Sequence, residues 1–451
     1  MNTPSSAQQR HPMLQAGAAT TTFPVDAGTP MAGYVARDGV ATGTLDPLTL
    51  SALVLADEVE SCVVIAADVV GVDAELLAEL RVRLPWSPTA LIVCASHTHS
   101  GPRGIATEMQ AVEPDPGDRA MRERFVTTCA DLIAQATATL APVTLHLGRE
   151  PVLRVSANRN DPATPIDSAV TTLEMRLESG SPVALLVHFA CHPTILGASN
   201  TLLSADLFGA IRASLADLAR HAFQTPILCL NGAAADISTR FTRQGQDARE
   251  VTRLGRQVAA AAAKAIAAAT PLAGELRTTQ RSIALPPRPR VPAKAAHDLA
   301  QADRDLTAAI TASDAERRIA ITRREGAMLA AQRARPSRET IAIPISGLAV
   351  DRLAIVSIPG ELSSSLGRRI ERASPFPSTI VAGYTNGYVG YIVDAADYDV
   401  PTYESLASPF DASAGAEIVD ATVALLRQLH ASAEAKESRR EPMQKPIGQP
   451  S

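Results

Sequence analysis

Apolar residues in this chain fall into two patterns. Short solid runs at 52–56, 62–66, 91–95, 143–147, 183–189, 227–230, 353–358 and 379–382 have the length and Val/Ile/Leu content of buried strands. Between them, 119–140, 205–222 and 248–269 place apolar residues every third or fourth position, the spacing of one helix face. Alternation of this kind predicts an α/β architecture. No internal repeat is visible in the residues themselves.

One stretch breaks the pattern. Pro286-Pro287-Arg288-Pro289 and Pro292 make a rigid punctuation, after which 293–333 is rich in Ala, Arg, Asp and Glu. It reads as a charged helical insertion, either one long helix or a hairpin turning near Thr311-Ala312-Ser313-Asp314, and as a solvated arm without chemistry. Residues 1–30 are Thr/Ala/Ser/Gln-rich and are expected to be flexible. The polar stretch 431–451, with Pro442, Pro446 and Pro450, is expected to be disordered. One domain is expected over 31–430.

Composition narrows the function. With 46% apolar residues the chain has enough to bury a full core. Net charge is −5 and the basic residues form no field, so nucleic acid is not an expected partner. No 18-residue apolar span suggests a transmembrane segment and no signal peptide is visible, which gives a cytoplasmic expectation. The five cysteines lack metal spacing and mostly sit in apolar runs, so they read as buried free thiols.

Candidate chemistry collects where strands end. The run 91–95 feeds into Ser96-His97-Thr98-His99-Ser100-Gly101-Pro102. In an extended chain residues two apart share a face, so His97 and His99 are expected to converge, and paired neutral imidazoles suit zinc. The run 183–189 leads to Cys191-His192-Pro193, and 227–230 leads to Asn231 and then Asp236-Ile237-Ser238. The run 353–358 leads to Pro359-Gly360-Glu361, and 379–382 leads to Asn386-Gly387-Tyr388-Val389-Gly390-Tyr391. Ligands of open α/β sheets bind beyond strand carboxyl ends, which is where these residues fall. Each has a plainer reading: His192 closing a turn, Glu361 answering a helix dipole, Asp236 capping. His188, inside an apolar run, reads as a core histidine.

Taken in order, these motifs resemble the neutral/alkaline non-lysosomal ceramidases, a zinc-dependent amidase family. The resemblance also takes in Met31-Ala32-Gly33-Tyr34, Ala41-Thr42-Gly43, Ala66-Ala67-Asp68, Ala157-Asn158-Arg159, Ser204-Ala205-Asp206 and Tyr403-Glu404. It spans roughly 30–285 and 340–410 and is that of a short bacterial member holding the catalytic N-terminal domain only. It implies a mixed-sheet catalytic domain with surrounding helices. It implies Zn2+ held by His97, His192, Glu361 and Tyr391, with His99, Arg159 and Tyr403 at the scissile amide, and Ser238 matches a residue described as essential, sometimes as a nucleophile. The implied reaction is hydrolysis of an N-acyl amide, ceramide above all, with zinc polarising the carbonyl and activating water. Asp68 and Asp206 are candidates to orient the ligating histidines or to serve in turns.

The chain also departs from the family pattern. The usual Gly-Asp-Val-Ser-Pro-Asn is here Ala235-Asp236-Ile237-Ser238-Thr239-Arg240, with a charge at Arg240 where a small polar residue is expected. Members acting on ceramide also end in an immunoglobulin-like domain. These departures point to an alternative, the same amidase chemistry on a soluble N-acyl substrate. A non-catalytic, zinc-stabilised binding protein is a second alternative. A barrel amidohydrolase also opens on His-x-His but calls for a bridging Lys or Glu midway and a metal-binding Asp after a late strand, and the lysines of the middle of this chain, Lys264 and Lys294, lie in helical or Pro-rich contexts.

Overall fold

The computed structural model describes residues 14–440 apart from 35, 38, 107–114, 219–224, 290 and 333–339. The chain first forms β1 (Gln15–Thr22), β2 (Thr49–Ala56), β3 (Ser61–Ala67), α1 (Ala74–Arg83), β4 (Ala90–Ala95) and α2 (Pro116–Ala138). The next unit is β5 (Thr144–Pro151), β6 (Ala169–Arg176), β7 (Pro182–Phe189), α3 (Asp206–Leu218), β8 (Ile227–Asn231) and α4 (Ala248–Ala267). The third starts with β9 (Arg277–Leu285), inserts α5 (Pro292–Ala308) and α6 (Asp314–Gln332), and resumes with β10 (Ile341–Val350) and β11 (Leu353–Ser357). It closes with α7 (Ser364–Ala373), β12 (Ser378–Ala382), the short α8 (Ala396–Asp399) and α9 (Tyr403–Ala407), and α10 (Ala414–Arg440).

Each unit pairs its first three strands antiparallel and its third and fourth parallel. One topology therefore occurs three times, although no repeat is legible in the sequence. The repeat lives in hydrogen-bond connectivity, which many apolar sequences satisfy, and not in residue identities.

Strand alternation explains the packing. Leu53, Leu55, Val64 and Ile92 of the first sheet, Leu173, Leu186 and Leu228 of the second, and Leu348, Ile355 and Ile380 of the third meet in one central core. The residues between them face outward under helices: Val63, Ile65 and Val93 under α1 and α2, Leu185, Val187 and Phe189 under α3 and α4, Ile343, Ile345 and Val356 under α7 and α10. Sheets covered on both faces give solid apolar runs, which is why those runs stood out in the sequence.

Two boundary expectations need correction. Residues 15–22, placed in a flexible 1–30 segment, form β1 paired along its length with β2, since Ala16 and its neighbours bury against the core. The tail expected to be disordered from 431 is helical as far as Arg440, and 441–451 lie outside the described residues. The hairpin reading of 293–333 holds, with its turn at 309–313. The five cysteines are free and buried. Among the described residues, no helix is long and apolar enough to cross a membrane.

The topology also locates the site. Within a unit the first and third strands run the same way, as does the parallel fourth. The first-to-second-strand connection and the segments after strands three and four therefore emerge at one end. Candidate chemistry from all three units meets there.

Candidate metal centre and its cavity

His97 lies two residues past β4 with φ +66°, a left-handed conformation that costs energy for a non-glycine residue and commonly marks functional positions. The pair His97 and His99 therefore converges through a turn and not through strand pleating, which corrects the expectation from the two-residue spacing. His97 Nδ1 donates to Val70 O at 2.6 Å, and His192 Nδ1 donates to Ala234 O at 2.6 Å. A carbonyl only accepts, so both Nε2 atoms carry lone pairs. They face each other at 3.2 Å. Glu361 Oε2 stands 3.4 Å from His97 Nε2 and 3.0 Å from His192 Nε2, without a hydrogen-bond donor. His97, His192 and Glu361 are at most 1% exposed.

Acceptors crowded together out of water repel unless a cation lies among them. Ligands about 2.0–2.1 Å from a tetrahedral zinc stand about 3.3 Å apart. The observed edges of 3.0–3.4 Å match that figure. His99 completes a buried group with His97 and His192 that could hold a metal. Its Nε2 is 3.2 Å from His97 Nε2, and its Nδ1 has no partner. Burial, then proximity to the imidazoles of His97 and His192, holds its imidazole well below the usual range, and burial takes His192 down to about 4. Gly33 at φ +103° is required here, because a Cβ would sit 2.6 Å from His99 Cα.

The sequence assigns no role to Tyr384, Asn386 or Tyr388, which support this cluster. Tyr388 donates its hydroxyl to Glu361 Oε1, and His97 stacks on Tyr384 with centroids 4.1 Å apart. Asn386 clamps β4 by accepting from Val93 N and donating to Leu91 O. Tyr391 pairs with Glu361 across two short parallel strands, and its hydroxyl accepts from Arg159 Nη2 at 3.2 Å. Burial, then the Glu361 charge, raises the Tyr391 phenol well above its usual range. Arg159 also donates through Nε to Glu404, and this buried ion pair holds its charge firmly. Asp68 and Asp206 do not touch the histidines. Asp68 pairs with Arg212 and accepts from Thr49, while Asp206 accepts from the amides of Ile195, Leu196 and Leu207. His188 is a core histidine as expected, bonded to Val381 O at 3.3 Å.

A cavity of about 370 Å³ opens above His99 and brings Arg159, Ser238, Tyr391 and Tyr403 to one space. Ser238 Oγ accepts from Arg240 N at 3.2 Å. Tyr403 lies edge-on to Tyr391 at 5.5 Å between centroids. The arm expected to be inert is part of this site, since Arg318, Glu325, Met328 and Leu329 of α6 wall the cavity. The sequence signal was there, in a charged helix too long for a tight strand connection, but its partner surface was not.

The fold and site together define a mixed α/β protein with a buried histidine–carboxylate centre under a cavity. Over residues 14–225 the chain matches the family described as neutral/alkaline non-lysosomal ceramidase, N-terminal, the family its motifs resemble. Among solved structures it is similar to the neutral ceramidase from Pseudomonas aeruginosa, with TM-score 0.72 and 18% identity over 93% of this chain and 75% of that one. It is equally similar to a ceramidase complexed with C2, with TM-score 0.72 and 16% identity over 98% and 77%. At these identities the likeness shows the fold alone. No curated protein matches the chain.

Proposed function

We propose that this protein is a zinc-dependent hydrolase of N-acyl amides. The observation that carries the reading is the convergence of two deprotonated Nε2 atoms and an unpartnered carboxylate oxygen within 3.0–3.4 Å in a buried pocket. His97, His192 and Glu361 would hold the ion, with Tyr391 beside Glu361 as the fourth candidate. Bound there, zinc supplies Lewis acidity toward a carbonyl and makes water acidic enough to attack at neutral pH.

The remaining steps fall to the chain's own groups. Arg159, fixed by Glu404 and Tyr391, has its Nη1 free of both partners and directs it at a substrate oxygen in the cavity it lines. His99, which lines the cavity and whose buried Nδ1 has no partner, moves the proton that the departing amine needs, and the Tyr403 hydroxyl donates to the developing oxyanion. Ser238 has its Oγ lone pair engaged by Arg240 N, which leaves its O–H to donate to substrate. No hydrogen bond joins it to an imidazole base among the described residues, which supports a binding role over a nucleophilic one. Ceramide is the substrate the family suggests. The test is hydrolysis by the purified zinc-loaded protein, with and without a chelator, of a short-chain fluorescent ceramide and a soluble N-acyl amino acid. Chelator-sensitive release of amine from either, abolished in His97→Ala, supports the reading. Stoichiometric zinc with turnover of neither favours a zinc-stabilised binding protein.

A further inference from the structure

The cavity has an unusual charge for a pocket that takes a neutral lipid amide. Four guanidinium groups line it, those of Arg159, Arg240, Arg243 and Arg318, against a single carboxylate, Glu325. Glu404 answers Arg159. The other three have no ion-pair partner among the described residues. Arg240 Nη1 donates to the Arg159 carbonyl at 3.1 Å and Arg243 Nη1 to the Thr194 carbonyl, which leaves most of each donor fork unused. Arg318 reaches in from α6, an element that exists only because the third unit carries an insertion where the other two have a loop. Burial first, then repulsion from Arg159, brings Arg240 down to about 10, and burial and Arg318 lower Arg243 as well. Arg240 and Arg243, half-buried, and Arg318 at the exposed rim thus leave two cations in excess over Glu325 around one cavity, a surplus that favours an anionic occupant.

We propose that the substrate is this occupant: the enzyme selects N-acyl amides that bear an anionic oxygen group, which Arg240, Arg243 and Arg318 grip while the amide lies at His99. This rests on the amidase reading and names the substrate class of the same site. Planar guanidinium forks suit carboxylate and phosphate alike, so the shared chemistry is a compact oxyanion. Both Arg240, in place of the family's small residue, and the α6 arm then have a role.

Two measurements test it, one of them independent of turnover. Calorimetry on the full chain treated with chelator compares N-dodecanoylglycine, N-dodecanoyl-aminoethyl phosphate and the neutral N-dodecanoylethanolamine. At least one anionic ligand should bind about tenfold or more tightly than the neutral one, with the preference shrinking at high salt. Which anion wins identifies the oxyanion. The preference should fall toward unity in Arg243→Gln and in Arg318→Gln, the latter an exposed position whose replacement leaves the core intact. On the zinc-loaded enzyme, kcat/KM should follow the same order. Equal binding of the three, or tighter binding of the neutral amide, overturns the proposal whether or not hydrolysis is seen. Anion-selective binding without hydrolysis of any amide keeps this proposal and defeats the catalytic reading.

Discussion

Glu361→Gln should make the metal-free protein more stable and the zinc-loaded protein less so. In the metal-free state Glu361 Oε2 faces the lone pairs of His97 and His192 at 3.4 and 3.0 Å with nothing to donate to it. An amide nitrogen in that place donates one N–H to each imidazole, while Oε1 still accepts from Tyr388. Relieving an unpartnered buried group is worth about 1–3 kcal/mol, and more when the group is charged. With zinc the order reverses, because a neutral amide is a poor ligand. Wild type gains about 2.7 kcal/mol when free zinc is 100 times Kd, and the variant gains little. For a chain this long a kcal/mol moves Tm by about 1 °C. Scanning calorimetry should thus show the chelated variant about 1–3 °C above chelated wild type, and a zinc increment of about 3 °C in wild type alone. An equal zinc increment in both proteins, or a variant destabilised in both states, refutes the reasoning.

Three further outcomes are expected. Glu404→Gln strands the Arg159 charge in a buried site and should cost about 3–5 kcal/mol in urea denaturation, whereas Arg159→Met combined with Glu404→Leu should cost less than that single change. Ser238→Ala should keep at least about a tenth of kcat, and a thousand-fold loss together with a burst of released amine in wild type would instead make Ser238 the nucleophile. His188 is buried and its imidazole is pushed down by burial to about 4. Below its unfolded value of about 6.5 the unfolded chain therefore binds a proton that the folded one refuses. Stability is present in full above pH 6.5 and should fall by of order 3 kcal/mol as pH drops toward 4. His188→Gln should flatten that part of the curve of denaturation midpoint against pH.

Much of the fold was legible because burial on both faces concentrates Val, Ile and Leu into runs, and all eight expected strands lie where those runs are. β1, β6, β9 and β10 were missed for a physical reason. Gln15–Thr22 and Arg277–Leu285 carry Thr, Gln and Arg on partly exposed faces, and Ala169–Arg176 mixes Thr and Glu into its buried pattern. Ile341–Val350 contains Pro344 and Gly347. The candidate site was legible as a set of motifs, and the structure places His99, Arg159, Ser238, Tyr391 and Tyr403 around one cavity with His97, His192 and Glu361 clustered beside His99, while Asp236 and Asn386 bond to the scaffold. Tyr388 and Tyr384 stayed hidden because a tyrosine that supports a carboxylate or an imidazole looks like any core aromatic until both are placed in space. The cationic roof stayed hidden because Arg159, Arg240 and Arg318 come from three separate stretches of chain.

The threefold topology makes a last prediction possible. His97 follows the fourth strand of the first unit, His192 the third strand of the second, and Glu361 the third strand of the third. A metal held by these residues ties the three units together at one end of a shared core, and no single unit has more than part of the site. The backbone amides at the three positions are bonded locally, His97 N to Val69 O at 3.0 Å, His192 N to Ile237 O at 2.9 Å and Glu361 N to Gly390 O at 2.9 Å. Exchange at these amides reports opening of the segments that present the ligands. Chelation should therefore speed hydrogen exchange in all three ligand-bearing segments together, by a factor set by free zinc over Kd, while β2 and β6 at the sheet centres stay unchanged. Hydrogen exchange read by mass spectrometry on matched zinc-loaded and chelated samples makes the comparison. Acceleration confined to the 97–99 segment would mean that the histidine turn binds metal alone, and the three-unit centre would then be wrong.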